Sequence, residues 1–130
     1  MTAPSGGNAS GFRVDFGREG ATLHARVSGE NSYDNTLGYW QAVLAEVRRD
    51  RPARLLLVDE LAGPALTVKD WDDLVHQMEG KGLEGIRIAH LRVHGRQKLE
   101  FCEVFARRAG IDARVFEDAA EARAWLAHGG

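Results

Sequence analysis

The sequence lacks the features that would place it in several large classes of protein. It has one cysteine, Cys102, so it can form no intrachain disulfide, as expected in a reducing compartment. No apolar stretch approaches the length of a membrane-spanning helix. The formal net charge of −2 does not favour nucleic acid or an anionic membrane as a partner. These absences predict a water-soluble chain of the cytoplasm.

Common catalytic and phosphate-binding motifs are also absent. No Gly-x-Gly-x-x-Gly run follows a predicted strand, and the sequence contains neither Gly-x4-Gly-Lys-Ser/Thr nor Gly-x-Ser-x-Gly. His90 and His94 are four residues apart, which on a strand separates them by about 13 Å, too far for one metal ion to bridge. We therefore predict that the chain is not an enzyme and has neither a cofactor nor a metal site.

Residues 1–11 are small, polar and rich in glycine, and they contain neither basic residues nor an apolar run. They therefore do not resemble a secretory signal, and we expect a disordered tail. Residues 12–128 carry one continuous series of strand and helix patterns and predict a single domain.

Hydrophobic periodicity predicts the order of elements in this domain. Apolar and polar residues alternate over residues 12–16 and 23–27 around a glycine-bounded turn, which predicts an antiparallel hairpin. The continuous apolar run at residues 55–58 is typical of a central strand buried on both faces. Further strands are predicted at residues 86–93 and 113–116. Helices are predicted over residues 33–47, from Thr67 as N-cap, over residues 97–109 and after Asp118.

The resulting order ββαβαβαβα predicts an α/β fold with a five-stranded mixed, mostly parallel sheet and four helices. The apolar positions predict a core that includes Leu56, Leu57, Leu74, Ile88, Val115 and Trp125.

Three segments carry a family resemblance: residues 55–59 followed by a loop and a tryptophan-bearing helix, residues 86–91, and the ending at residues 115–126. Together they resemble the SpoIIAA-like group, which includes STAS domains and is structurally related to CRAL-TRIO-type domains. The resemblance implies a SpoIIAA-like fold and a non-catalytic regulatory or protein-binding module. The CRAL-TRIO kinship implies an alternative, a binder of a small apolar ligand or lipid.

STAS-type antagonists place a phosphorylatable serine, in an Asp-Ser-Ser-Gly-like turn, at the start of the helix after the central strand. Residues 59–67 lack this turn, and Thr67 is their only hydroxyl-bearing residue. The resemblance thus makes Thr67 the candidate at this position without supplying the motif.

Polar residues at the carboxyl ends of the predicted strands are the remaining site candidates, because α/β folds bind ligands there. Asp59, Glu60 and His94 occupy such positions, and carboxylates near a histidine would suit acid–base chemistry in a third alternative, an enzyme. Turns and helix caps also require polar residues at these places. Asp59, Glu60, Thr67 and His94 are therefore candidates for binding a ligand or a partner.

The expected partner is another protein or a second copy of the chain. Residues 59–84 carry an excess of acidic side chains and residues 87–114 an excess of basic ones, which suits complementary pairing. Sequential crossovers tend to collect helices on one face of a sheet, and residues 12–16 and 55–58 supply apolar side chains for the other face. An uncovered apolar face would predict a homodimer.

Overall fold

The computed structural model describes residues 11–64, 66–92 and 100–128, with side chains described from residue 103 onward in the last range. Within these residues the elements are β1 Phe12–Glu19, β2 Thr22–Glu30, α1 Tyr33–Arg49, β3 Arg54–Ala62, α2 Val68–Met78, β4 Arg87–Arg92, α3 Glu100–Arg108, β5 Asp112–Phe116 and α4 Ala119–His128. Residues 1–10 of the predicted tail, residue 93 of the predicted fourth strand and residues 97–99 of the predicted third helix lie outside the described residues.

The strands form one sheet in the order β1-β2-β3-β4-β5, in which β1 pairs antiparallel with β2 and the other pairs are parallel. This confirms the predicted α/β fold with a five-stranded mixed sheet and four helices. Glu19 pairs with Thr22 across a two-residue turn, and Gly20 has a φ of +59° there. That left-handed conformation suits glycine, because a hairpin of this length requires a positive φ.

Helices pack on both faces of the sheet. On the first face, α1, α2 and α3 cover the main core, where Trp40 of α1 and Met78 of α2 join the strand residues Leu57 and Ile88. On the second face, Ala122 and Leu126 of α4 pack against β3, β4 and β5. Among the described helices, none is both long and apolar enough to cross a bilayer.

The position of α4 removes the argument for a homodimer across an uncovered apolar face. Strand alternation directs Phe12 and Val14 to the first face, where they belong to the main core. The part of the second face that α4 leaves open belongs to β1 and β2, where Arg13, Asp15 and Arg26 are exposed. This open part is polar and needs no cover from a second copy.

The structure confirms four of the predicted core residues and corrects two. Leu56, Leu57, Leu74 and Ile88 are buried, whereas Val115 and Trp125 are only half-buried. β5 is the edge strand, so no further strand flanks Val115. Trp125 lies at the margin of α4, where its ring packs on Phe116 and beneath the Arg87 guanidinium.

Leu57 lies at the centre of the main core and is fully buried, so Leu57→Ala should reduce the free energy of unfolding by about 2–5 kcal/mol. Val104→Ala is the matched control, because Val104 is 41% exposed and leaves no core cavity when shortened. Urea unfolding of the two variants measures the difference. A loss at Leu57 below about 1 kcal/mol would contradict the central position of β3.

Candidate functional site

Three ionisable side chains converge on the first face near the carboxyl ends of β3 and β4. The parallel register places Asp59 of β3 opposite Arg92 of β4, and His90 lies two residues before Arg92. Because side chains alternate along a strand, His90 and Arg92 point to the same face. Asp59, His90 and Arg92 are only 2%, 1% and 5% exposed, so solvent does not reach the cluster.

Both oxygens of the Asp59 carboxylate have hydrogen-bond or ionic partners. Oδ2 lies 2.8 Å from Nε2 of His90 and 3.1 Å from Nη1 of Arg92. Oδ1 accepts a hydrogen bond of 3.0 Å from the backbone N–H of Leu61. The buried charge is therefore compensated by a cation and by directed hydrogen bonds, which is the condition for keeping it ionised away from water.

These partners determine the direction in which the pKa of Asp59 moves. Burial by itself would raise the pKa of this carboxyl. The hydrogen bond and charge of His90, the charge of Arg92 and the Leu61 amide act in the opposite direction and together hold the pKa below its ordinary value. Asp59 is thus a carboxylate near neutral pH.

The ring of His90 is enclosed by two tryptophans. The centroids of the Trp40 and Trp71 rings each lie 6.3 Å from the centroid of the His90 ring. The interplanar angles are 75° and 65°, so both contacts are edge-to-face. An ionised carboxylate only accepts hydrogen bonds, so Nε2 of His90 carries the proton that faces Asp59. Nδ1 is buried and has no hydrogen-bond partner among the described residues. The aromatic walls leave His90 no route to solvent.

The arrangement suits a structural role better than a catalytic one. A general base must reach the proton that it abstracts, directly or through one water, and the buried carboxylate of Asp59 offers no such access. Arg92 also places a positive charge where a metal ion would have to bind. Within the described residues, no three side chains of metal-binding type converge.

Glu60, the second predicted candidate, points away from Asp59. It lies on the second face, where Oε2 is 2.9 Å from Nη1 of Arg26 on the neighbouring strand. The Arg26 and Glu60 side chains are 61% and 28% exposed, so this is a surface ion pair of small energetic weight. Neighbouring positions on a strand face opposite sides, and the two carboxylates therefore do not form a pair.

Thr67, the third candidate, is the N-cap of α2, which confirms the predicted start of this helix. Its Oγ1 accepts a hydrogen bond of 3.0 Å from the Asp70 backbone N–H, and Asp70 Oδ2 accepts one of 3.1 Å from the Thr67 N–H. This reciprocal pair is a capping box, which satisfies two backbone donors at the helix start.

His94, the fourth candidate, lies outside the described residues. The histidine that contacts Asp59 is His90, and neither His90 nor Arg92 was among the predicted site residues. A sequence signal for these two residues is the alternation Ile88-His90-Arg92, which places two ionisable side chains on the apolar face of a buried strand.

A small apolar cavity lies beside this cluster on the first face. Its volume is about 40 Å³, and its walls include Trp40, Trp71, Met78, Ile88 and Ala113. Pockets for drug-sized ligands have volumes of roughly 300–1,000 Å³. The cavity is therefore far smaller than a lipid would need.

Comparison with known proteins supports the fold and no particular activity. The chain matches no model of a known protein family and no curated protein. It is similar to the crystal structure of an uncharacterised protein of the DUF3478 family from Shewanella loihica PV-4, which has a SpoIIAA-like fold. The TM-score is 0.51 at 18% identity, over 89% of this chain and 94% of that one. The fold is thus SpoIIAA-like, as the sequence resemblance implied.

Thr67→Ala should lower the free energy of unfolding by about 0.5–2 kcal/mol, because the Asp70 N–H loses its acceptor. Thr67→Ser is the matched control, since serine retains the oxygen that caps the helix. Chemical unfolding at neutral pH measures both. Equal losses for alanine and serine would contradict the role of the hydroxyl as a cap.

Asp59→Asn should destabilise the protein by about 3–5 kcal/mol at neutral pH, because Arg92 loses its buried counter-charge and His90 loses a charged hydrogen-bond acceptor. The folded-state pKa of Asp59 is lowered, so its stabilising effect is present above the unfolded-state pKa. The effect is lost as pH falls through the folded-state pKa.

The difference between wild type and Asp59→Asn should therefore shrink as the pH falls below the ordinary pKa of an aspartate. Urea unfolding over a pH series tests this. Asp15→Asn is the control, because the Asp15 side chain is 57% exposed and pairs only at the surface with Arg13. A difference for Asp59 that is constant with pH would show that its charge is not what stabilises the fold.

Proposed function

We propose that the chain is a non-catalytic, SpoIIAA-like regulatory module of the cytoplasm that binds another protein. The binding surface is the region around the start of α2, formed by Tyr33, Leu37, Leu66, Val68 and Phe105. We call this region the α2 entry surface.

The observation that carries the proposal is the exposure of Val68. It occupies the first position of α2 and is 44% exposed. Leu66, Tyr33, Leu37 and Phe105 are half-buried and pack against the buried pair Trp71 and Leu74 of α2. Apolar side chains that remain accessible in a group are a common mark of an interface.

Charge around this surface indicates the chemistry of the partner. Asp34 lies in the first turn of α1, and Asp70, Asp72 and Asp73 lie in the first two turns of α2. Lys69 is the one basic residue in the first two turns of α2, and its ammonium pairs with Asp73 at 3.2 Å. A partner with an apolar contact bordered by lysine or arginine would complement this acidic rim.

The sealed state of the Asp59 cluster supports a non-catalytic role. The enzyme alternative requires Asp59, Glu60 and His94 to act together, yet Asp59 is 2% exposed and Glu60 lies on the opposite face. The lipid-binder alternative requires a long apolar cavity, and the cavity beside Trp40 and Trp71 has a volume of only about 40 Å³. Both alternatives therefore have weaker support than a binding surface.

A different protein suits the α2 entry surface better than a second copy does. The same acidic rim on two copies would bring like charges together across a two-fold interface. Light scattering on the purified chain measures its mass in solution, and a monomer is expected. A dimer whose formation depends on Val68 would instead make the partner a second copy.

Site-specific photo-crosslinking tests the proposal. A benzophenone side chain at Val68 should capture one discrete protein in the cells that produce the chain, while the same group at Val104 should not. Val104 is the matched control because it is 41% exposed on the neighbouring helix α3.

The captured protein should then bind the purified chain in calorimetry. Val68→Asp should weaken this binding by about tenfold, because it places a negative charge in an apolar contact that already has an acidic rim. Val104→Asp should leave the affinity unchanged. Equal losses for the two variants, or saturable turnover of a small substrate by the free chain, would overturn the proposal.

A further inference from the structure

A second cavity lies on the opposite face of the sheet, at the amino ends of β2 and β3. Its volume is about 270 Å³, and Thr22, His24, Arg54, Leu56, Arg123 and Leu126 are among its lining residues. Its walls come from the two strands and from the last turns of α4, with Glu19 at the end of β1 on one side. It is more than six times larger than the apolar cavity of about 40 Å³ on the first face.

Arg54 is the most informative residue of this cavity. It is half-buried, and its Nε donates a hydrogen bond of 2.9 Å to the backbone carbonyl of Leu126, which holds the guanidinium in place. No carboxylate within the described parts of the chain forms an ion pair with it. The Leu126 carbonyl at the end of α4 compensates this partly buried cation only in part, and an anionic ligand would complete the compensation.

Arg123 adds a second guanidinium whose protein partner is distant. Its Nη1 lies 3.9 Å from Oε1 of Glu19, beyond hydrogen-bonding distance, and His24 Nε2 lies 3.4 Å from the same oxygen. Two arginines against one glutamate leave the lining with an excess of positive charge. The side chain of Arg123 is 58% exposed and is therefore accessible from solution.

The C-terminus of α4 borders the cavity, but its partial negative charge is offset and does not repel a bound anion. Helix C-termini carry partial negative charge on their last carbonyl groups. Two of these carbonyls already accept hydrogen bonds from arginines. The Leu126 carbonyl accepts one of 2.9 Å from Arg54, and the Trp125 carbonyl accepts one of 3.3 Å from Arg87. These contacts offset the charge of the helix end.

The remaining lining selects the shape of the ligand. Ala127 is exposed, and together with the nearly buried Leu56 and Leu126 it forms an apolar floor beneath the charged groups. An inorganic anion would gain no apolar contact with this floor. A carboxylate with a short apolar chain would match both parts of the site.

We propose that this cavity binds a small organic monocarboxylate. Arg54 and Arg123 hold the carboxylate, and the apolar chain lies against Ala127 and the accessible edges of Leu56 and Leu126. The site is on the face opposite the α2 entry surface, and it does not depend on the proposed protein-binding role.

Butyrate is the probe, and butyramide is its neutral counterpart of similar size. In ¹H–¹⁵N spectra of the full chain at constant ionic strength, butyrate should cause saturable shifts at Arg54, Leu56, Arg123 and Ala127. Butyramide should cause none. Inorganic phosphate at the same concentration should bind more weakly, because it makes no contact with the apolar floor.

Two substitutions of opposite effect sharpen the test. Arg123→Gln should raise the butyrate Kd about fivefold or more, because a charge-assisted hydrogen bond is lost. Glu19→Gln should lower the Kd about twofold, because the one carboxylate among the described lining residues is removed. Arg13→Gln is the control, since Arg13 is an exposed arginine on the same face outside the cavity.

The proposal is overturned if butyrate shifts do not saturate, if butyramide binds equally well, or if Arg123→Gln leaves the Kd unchanged. Equal affinity for butyrate and phosphate would overturn the assignment to a carboxylate with an apolar chain. A loss for Arg13→Gln as large as that for Arg123→Gln would show that net charge alone explains binding.

Discussion

A carboxylate buried on the central strand is the constraint to which much of the first face conforms. Removing an ion of this size from water costs several kcal/mol even after the surroundings relax. The compensation for Asp59 comes from Arg92 and His90 on the adjacent strand and from the Leu61 amide on its own strand. Trp40 and Trp71 then close the space around the histidine, so the cluster and the helices that cover it form one packed unit.

The fold could be predicted because each element carries its own periodic pattern. The apolar run at residues 55–58 indicates a strand covered on both faces, and Leu57 indeed joins the first-face core while Leu56 joins the second. The same run could not show which element covers the second face. The placement of α4 there depends on the path of the chain after β5, and local periodicity contains no information about that path.

The site could be predicted only in part, because its geometry depends on strand register. Asp59 was identifiable as a polar residue at the end of a buried strand, but its partners are 31 and 33 residues further along the chain. Adjacency in sequence favoured Glu60, although a strand sends neighbouring side chains to opposite faces. His90 lies inside an apolar strand, where a histidine indicates a buried hydrogen bond more often than a ligand contact.

The buried cluster also explains how β3 and β4 find a unique register. An uninterrupted apolar run has no alternation, so residues 55–58 would tolerate a shift of one position against the apolar residues of β4. Such a shift would turn His90 and Arg92 toward the second face, against the apolar side chains of α4, and leave Asp59 buried without a counter-charge. An unpaired buried charge costs far more than a mismatched aliphatic contact. The trio of Asp59, His90 and Arg92 therefore disfavours the slipped pairing, which an apolar trio in the same positions would leave nearly as favourable as the native one.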